Sequence, residues 1–152
     1  MKKQPFRAQT LVEFALVFPI AIFLILGFFD LGRAIFNFAS LSNSVREATR
    51  YAIVHKEVIN DAAKNAGYSE LKQLVGDYSF GISASDITVE VTVTMQLDPS
   101  GDVSETRDTI SITATYLFVP VTPGIKQILG DGDGILIEAQ STMLLEPISR
   151  DD

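Results

Sequence analysis

The sequence predicts an α+β fold in which a long N-terminal helix packs on a small antiparallel β-sheet. The first observation behind this prediction is an apolar run at residues 8–29 that continues as an amphipathic helical pattern into the mid-fifties. The second is strict alternation of apolar and polar residues in the second half of the chain, which is typical of half-buried strands. A small sheet with one apolar face needs a second layer, and the amphipathic part of the helix can provide it.

The run at residues 8–29 is long and apolar enough to cross a bilayer as a helix. Its 22 residues span roughly 33 Å at about 1.5 Å per residue, which exceeds a hydrocarbon core about 30 Å thick. Its only charged residue is Glu13. Three basic residues, Lys2, Lys3 and Arg7, precede the run, and no comparable cluster directly follows it. The positive-inside rule therefore places the N-terminus in the cytoplasm and exports the rest of the chain.

Three interpretations compete for this segment: a cleaved secretory signal, a plain membrane anchor, and an anchor from which a short leader is removed on the cytoplasmic side. A secretory signal has an apolar region of about 7–15 residues followed by a small-x-small cleavage site. Here the run is longer, and helical sequence continues through residues 31–34 without such a site. In a plain anchor, Glu13 reaches toward the cytoplasmic headgroups. In the third interpretation, a cut after Ala8 makes Glu13 the fifth residue of the mature chain.

Residues 9–19, QTLVEFALVFP, resemble the start of TadE-like pseudopilins of the tight-adherence (Tad) secretion and pilus system. The sequences DLGR at 30–33 and REATRYA at 46–52 resemble the pattern that follows in that family. The resemblance covers roughly the first 55 residues. It implies that a leader is removed between Ala8 and Gln9, although the family usually has Gly where this chain has Ala8.

The resemblance implies a type IV pilin-like fold and a structural role without enzymatic activity or cofactor. The protein would be a pilin or minor pseudopilin of a Tad-type (type IVc) pilus, which assembles through its N-terminal helix for surface adhesion. Implied partners are other pilin subunits, a prepilin peptidase, a platform protein, an assembly ATPase and the membrane. The chain would begin as a single-pass inner-membrane protein and end in the extracellular pilus. The alternative is a bitopic interaction protein that stays in the membrane and never enters the filament.

Four helix residues are candidates for a role in assembly. An unpaired carboxylate is costly in hydrocarbon, and in the pilin interpretation Glu13 pairs with the amine that cleavage creates on Gln9, in its own or the next subunit. Pro19 either simply kinks the anchor or supplies a bend that a filament core needs. Asp30 and Arg33 lie three residues apart on one helix face. They form either an exposed ion pair worth less than about 1 kcal/mol, or an anchor in which Arg33 binds headgroups or a neighbouring subunit's Asp30.

The predicted chain organisation has four segments, and the third carries an apolar stripe. The stripe can form a coiled-coil seam or cover a sheet, and the strand-rich sequence that follows favours the sheet. The segments are a basic leader (1–8), a transmembrane or filament-core helix (9–29), its amphipathic continuation (30–57) and an extracytoplasmic α+β domain (58–152). The stripe consists of Leu31, Ala34, Phe38, Leu41, Val45, Ala48 and Ala52. The polar residues expected off the stripe are Arg33, Asn37, Ser40, Ser44, Glu47 and Arg50.

The second half of the chain is expected to be mainly strands. One or two short helices are expected between residues 60 and 75, and a loop from 76 to 85. Strands are expected near 87–97, 107–119 and 135–145, with the first two paired as an antiparallel hairpin through a turn at 98–102 that contains Pro and Gly. A helical turn at 125–129 can precede the third strand.

Composition excludes several function classes. Residues 1–57 carry seven basic and four acidic residues, a net charge of +3, whereas residues 58–152 carry five basic and fifteen acidic residues, a net charge of −10. Such an acidic exported half is unsuited to binding nucleic acid. The chain has no Cys, which excludes disulfides and thiolate metal sites.

Signals for catalysis or metal binding are weak. The single His, His55, lies beside Lys56 and Glu57 and is expected to be a solvated helix residue. Asp131 and Asp133 alternate with Gly in residues 130–134, a spacing that can present oxygens to Ca²⁺. The remaining ligands and the closing Glu of an EF-hand loop are missing, so a flexible acidic turn is the favoured interpretation and no metal site is assigned.

Overall fold

The computed structural model describes residues 6–94, 108–125 and 134–145. A single helix, α1, runs over Phe6–Val54, and short helices and three strands follow it. The α+β class and the long N-terminal helix are therefore confirmed. The short helical elements are a 3-10 turn at Lys56–Ile59, α2 at Asp61–Asn65, α3 at Ser69–Tyr78 and a 3-10 turn at Ala84–Asp86. The strands are β1 at Ile87–Thr94, β2 at Thr109–Phe118 and β3 at Ile135–Leu144.

The three strands form one antiparallel sheet in the order β1-β2-β3. The β1-β2 pairing runs from Ile87 opposite Tyr116 to Thr94 opposite Thr109, which confirms the predicted hairpin. Across β2 and β3, the hydroxyl oxygens of Ser111 and Thr142 lie 3.0 Å apart. Of the apolar residues that the period-two pattern placed on one face of β1 and β2, Ile87, Val91, Val93 and Tyr116 are half-buried. The buried members of that face are Val89, Ile110, Ile112, Ala114 and Phe118, and β3 adds Ile137 and Ala139.

The chain divides into two compact units. The first comprises Met1–Ile35 and Val119–Ile135, and the second comprises Phe36–Phe118 and Leu136–Asp152. The sheet and the C-terminal part of α1 thus lie in the second unit, whereas the apolar part of α1 lies in the first. The predicted functional boundaries of leader, span and exported domain stay predictions.

In the second unit, one face of α1 contributes to the core, but it differs from the predicted stripe. Four stripe residues, Leu41, Val45, Ala48 and Ala52, are fully buried, while Phe38 is about half exposed. The polar residues Asn37 and Ser44, which were expected to lie off the stripe, are buried instead.

The buried face of α1 is shifted around the helix toward Ser44, and packing against a distant segment explains the shift. The side-chain oxygen of Ser44 lies 2.9 Å from that of Ser79, which directly follows α3. Ser44 also donates a hydrogen bond to the carbonyl of Leu41, so its hydroxyl is satisfied although it is buried. By contrast, Phe38 lies roughly 50° around the helix from the centre of the four buried stripe residues, on the opposite margin.

The expected loop at 76–85 is shorter than predicted because α3 continues to Tyr78. Gly76 lies within this helix rather than ending it. A Cβ atom at Gly76 would lie 2.8 Å from the Cβ of Ala84, so the missing side chain lets the 3-10 turn at Ala84–Asp86 pack closely on α3. The predicted turn at 98–102, the acidic turn with Asp131 and Asp133, and residues 126–129 of the predicted helical turn lie outside the described residues.

Candidate functional site

Most of the apolar part of α1 is left uncovered by the described residues of its own chain. Its most apolar 18-residue window is entirely unburied, and the helix is long and apolar enough to cross a membrane. A contiguous apolar surface of this size is unstable in water, so its cover must come from lipid or from other protein chains. The exposed large apolar residues here are Leu11, Val12, Phe14, Leu16, Val17, Phe18, Ile20, Ile22, Phe23, Leu24, Ile25, Phe28 and Phe29.

Glu13 is the one carboxylate within this apolar surface, and it is exposed. Its Oε1 accepts a hydrogen bond from Nε2 of Gln9, one helical turn away, at 3.2 Å. Among the described residues, no basic side chain lies within ion-pair distance of Glu13. Within the described residues, the partner of this carboxylate is the neutral side-chain amide of Gln9, the residue that the predicted cleavage would make N-terminal.

Pro19 does not unwind the helix. The residues on both sides of it are helical, and α1 is continuous through it. Pro lacks the N–H that would bond to the carbonyl of Ala15, so one helical hydrogen bond is missing while those around it remain. The role of Pro19 in a filament stays a prediction.

Asp30 directly follows the apolar run and binds a distant segment of the chain. Its Oδ1 accepts hydrogen bonds from the backbone N–H of Val121 at 3.0 Å and from Nη1 of Arg33 at 3.1 Å. Its Oδ2 accepts from the backbone N–H of Thr122 at 2.7 Å and from the Thr122 hydroxyl at 2.6 Å. We call these four residues, Asp30, Arg33, Val121 and Thr122, the Asp30 clasp.

The Asp30 carboxylate is buried and ionised at neutral pH. It is only 4% exposed. Burial by itself raises the pKa of this carboxyl, but the hydrogen bonds from Thr122 and Val121, together with the charge of Arg33, outweigh that effect and hold the pKa below its ordinary value. The negative charge therefore holds the clasp together under physiological conditions.

The clasp corrects one sequence interpretation of Asp30 and Arg33. The two residues do form an ion pair, and the Arg33 side chain is 49% exposed, but Asp30 is not the exposed partner that the sequence interpretation assumed. Sequence reasoning missed Val121 and Thr122 because they lie more than 90 positions away and carry no motif. The sequence signal for a special role of Asp30 was its position as a single acidic residue directly after an apolar run.

A second polar cluster lies near the C-terminal end of α1. The Tyr51 hydroxyl donates to Oε1 of Glu70 at 3.1 Å, and the Tyr51 ring stacks on His55 with ring centroids 4.0 Å apart. The hydrogen bond to Glu70 is the main cause that raises the pKa of Tyr51. Within the described residues, no three His, Cys, Asp or Glu side chains are close enough to hold a metal ion. This cluster joins α1 to α3 and has no recognisable catalytic geometry.

The family comparison matches the region that carries these features. Residues 8–50 match the family described as TadE-like protein. The N-terminal part of this chain is TadE-like. The match includes Glu13, Pro19, Asp30 and Arg33 and ends before the sheet, and it confirms the resemblance recognised from the residues. No curated protein and no solved structure matches the chain. The TadE-like region, with its hydrophobic helix, indicates a membrane-anchored protein associated with the Tad pilus.

Proposed function

We propose that this protein is a pilin or minor pseudopilin that enters a Tad-type pilus through the apolar part of α1. The observation that carries the proposal is the single carboxylate, Glu13, within a helix surface that the described residues leave largely uncovered. A plain anchor requires only apolar residues at this position. A subunit that must leave the bilayer and pack at one axial position benefits from a charge that only another subunit or a processed terminus can neutralise.

Processing supplies the partner for Glu13. A membrane peptidase on the cytoplasmic side adds water across the Ala8–Gln9 amide, which leaves a carboxylate on Ala8 and an amine on Gln9. That amine is largely protonated at neutral pH. Gln9 already lies one helical turn from Glu13 and bonds to it through its side chain, so the new cation forms within reach of the carboxylate. Pairing within one subunit or between neighbours then favours one axial register.

The remaining partners follow from the same proposal. The helix starts in the inner membrane with its N-terminus in the cytoplasm, where the peptidase, the platform protein and the assembly ATPase act. Extraction by this machinery moves the apolar surface from lipid into contact with other pilin subunits. The exported α+β part then lies on the outside of the filament and is available for adhesion.

The test compares Glu13→Leu with Glu47→Leu, an exposed acid on the same helix beyond the apolar run. Glu13→Leu should insert into the membrane as well as wild type, because it removes a charge from hydrocarbon, but its amount in sheared surface filaments should fall at least tenfold. Glu47→Leu should leave filament incorporation near the wild-type level. The filament fraction should contain chains that begin at Gln9, as read by mass spectrometry.

Two outcomes would contradict the proposal. Wild-type amounts of Glu13→Leu in sheared filaments would show that the carboxylate has no role in assembly. Absence of the wild-type protein from filaments, with all chains retained in the membrane, would favour the bitopic interaction protein instead.

A further inference from the structure

Residues 119–125, which we call the clasped loop, form an uncharged segment with the sequence VPVTPGI. Two of its residues, Pro120 and Pro123, have no backbone N–H to donate. The N–H groups of Val121 and Thr122 both bind the Asp30 carboxylate. Residues 120–123 therefore present no free backbone donor, and the carbonyl of Thr122 accepts a hydrogen bond from the backbone N–H of Ile125 at 3.4 Å. Each backbone group that has a partner lowers the cost of bringing non-helical backbone close to hydrocarbon.

The clasped loop also reaches back along the apolar run. The Cδ1 atom of Ile125 lies 3.9 Å from the position that a Cβ atom of Gly27 would occupy. Gly27 precedes Asp30 by three residues, so the contact lies roughly 4.5 Å toward the membrane-spanning part of the helix. Gly27 is half-buried, whereas its neighbours Phe28 and Phe29 are exposed.

The outward side chains of the clasped loop are apolar. Val121 is 68% exposed and Val119 is 47% exposed, while Pro120 between them is buried. Thr122, which follows Val121 and binds Asp30, is buried too. The loop that carries these valines is fastened to Asp30, the first residue beyond the run, and its Ile125 approaches Gly27 within the run. The end of the apolar run therefore also carries the exposed valines of the clasped loop.

We propose that the clasped loop docks on the outer leaflet of the bilayer, with Val119 and Val121 at the boundary between headgroups and acyl chains. The Asp30 clasp holds the loop at this depth by satisfying its amides. The occupant is lipid rather than a second copy of the chain because the loop contacts a residue inside the membrane-spanning run, so insertion of that run brings the loop to the interface. The docking concerns the membrane-inserted chain and does not depend on whether the chain later enters a filament.

The chain contains no Trp, so one introduced Trp reports its own surroundings by fluorescence. The full chain is placed in nanodiscs that hold one copy each, with lipids brominated either near the headgroup end or near the terminus of the acyl chain. Three variants are compared: Val121→Trp in the loop, Leu24→Trp within the apolar run, and Val54→Trp as the control. Val54 is 76% exposed and lies 25 residues beyond the run on the same helix, roughly 37 Å farther along its axis.

Val121→Trp should lose at least half of its fluorescence to bromine near the headgroup end and less to bromine near the chain terminus. Leu24→Trp should be quenched by the deeper bromine, and Val54→Trp by neither. Quenching of Val121→Trp as low as that of Val54→Trp would overturn the proposal. Contact of Val121→Trp with lipid only when several copies share a bilayer would overturn it too, in favour of a second copy as the occupant.

The dependence on the clasp is tested by adding Asp30→Ala or the near-isosteric Thr122→Val to the Val121→Trp chain. Quenching near the headgroups should fall at least twofold with Asp30→Ala and by a smaller factor with Thr122→Val. Leu24→Trp quenching in the Asp30→Ala background should stay unchanged, which shows that the helix still inserts. Unchanged Val121→Trp quenching in both clasp variants would refute the role of the clasp.

Discussion

The two parts of α1 are built from similar apolar residues but have different surroundings. In the first unit, Leu24 and Phe28 are exposed along a surface that the described residues leave largely uncovered, whereas Leu41 and Val45 in the second unit are fully buried. Both parts are regular helix within one element. Apolar composition therefore tells where cover is needed, but the chain supplies that cover only where its own sheet and short helices pack. The uncovered part is the one that membranes and other subunits can use.

The largest expected effect comes from removing one part of α1 at a time. A fragment of residues 30–152 keeps both Asp30 and the buried face of α1, and it should be soluble and unfold cooperatively. A fragment of residues 53–152 lacks Leu41, Val45, Ala48 and Ala52, so the apolar face of the sheet loses its cover and the fragment should aggregate or bind a hydrophobic dye. Equal solubility and equal cooperative melting of the two fragments would mean that the sheet does not need the helix.

A matched pair of leucine substitutions sharpens the comparison within the full chain in detergent. Leu41→Ala removes a fully buried side chain and should lower the free energy of unfolding by about 2–5 kcal/mol. Leu24→Ala removes an exposed side chain and should change it by less than about 0.5 kcal/mol. Urea unfolding monitored by circular dichroism measures both values. Similar losses from the two substitutions would contradict the different environments of the two parts.

The Asp30 clasp is expected to make a pH-dependent contribution of intermediate size to the free energy of unfolding. Because the folded-state pKa of Asp30 is depressed, its stabilisation is fully present above the unfolded-state pKa of about 3.9 and is lost as the pH falls through the lower folded-state value. Asp30→Asn should therefore destabilise the full chain in detergent at pH 7 and remove part of the acid sensitivity of its unfolding. Asp77→Asn, at an exposed carboxylate, is the control and should leave the urea midpoint at pH 7 nearly unchanged. An unaltered acid profile in Asp30→Asn would contradict the depressed pKa.

The smallest expected effect concerns the Arg33 side of the clasp. Arg33→Gln removes the bond to Oδ1 of Asp30 but leaves those from Val121 and Thr122. Since the Arg33 side chain is half exposed, its pair should be worth less than about 1 kcal/mol, and added salt should reduce the difference. Urea midpoints at low and high salt test this. A loss as large as that of Asp30→Asn would mean that Arg33, rather than the amides, dominates the clasp.

The sequence by itself determined the local structure and the resemblance of the N-terminal region to a family. The apolar run and its amphipathic continuation predict α1, strict alternation predicts the β1-β2 hairpin, and residues 9–19 carry the TadE-like resemblance that the match at 8–50 confirms. These features are readable because helical and strand periods and short motifs are properties of neighbouring residues. The isolated Glu13 within the run is visible for the same reason.

Only the tertiary structure decided which polar groups the chain buries. Asp30 binds Val121 and Thr122 from a distant segment. Ser44 lies against Ser79 on a side of α1 that the apolar periodicity did not predict to be buried. Whether a polar side chain is buried depends on finding a hydrogen-bond partner, and that partner is chosen by how distant segments pack. Periodicity contains no information about such a partner. The long helix and the sheet were therefore predictable from the sequence, whereas the clasp that fastens a loop at the end of the apolar run was not.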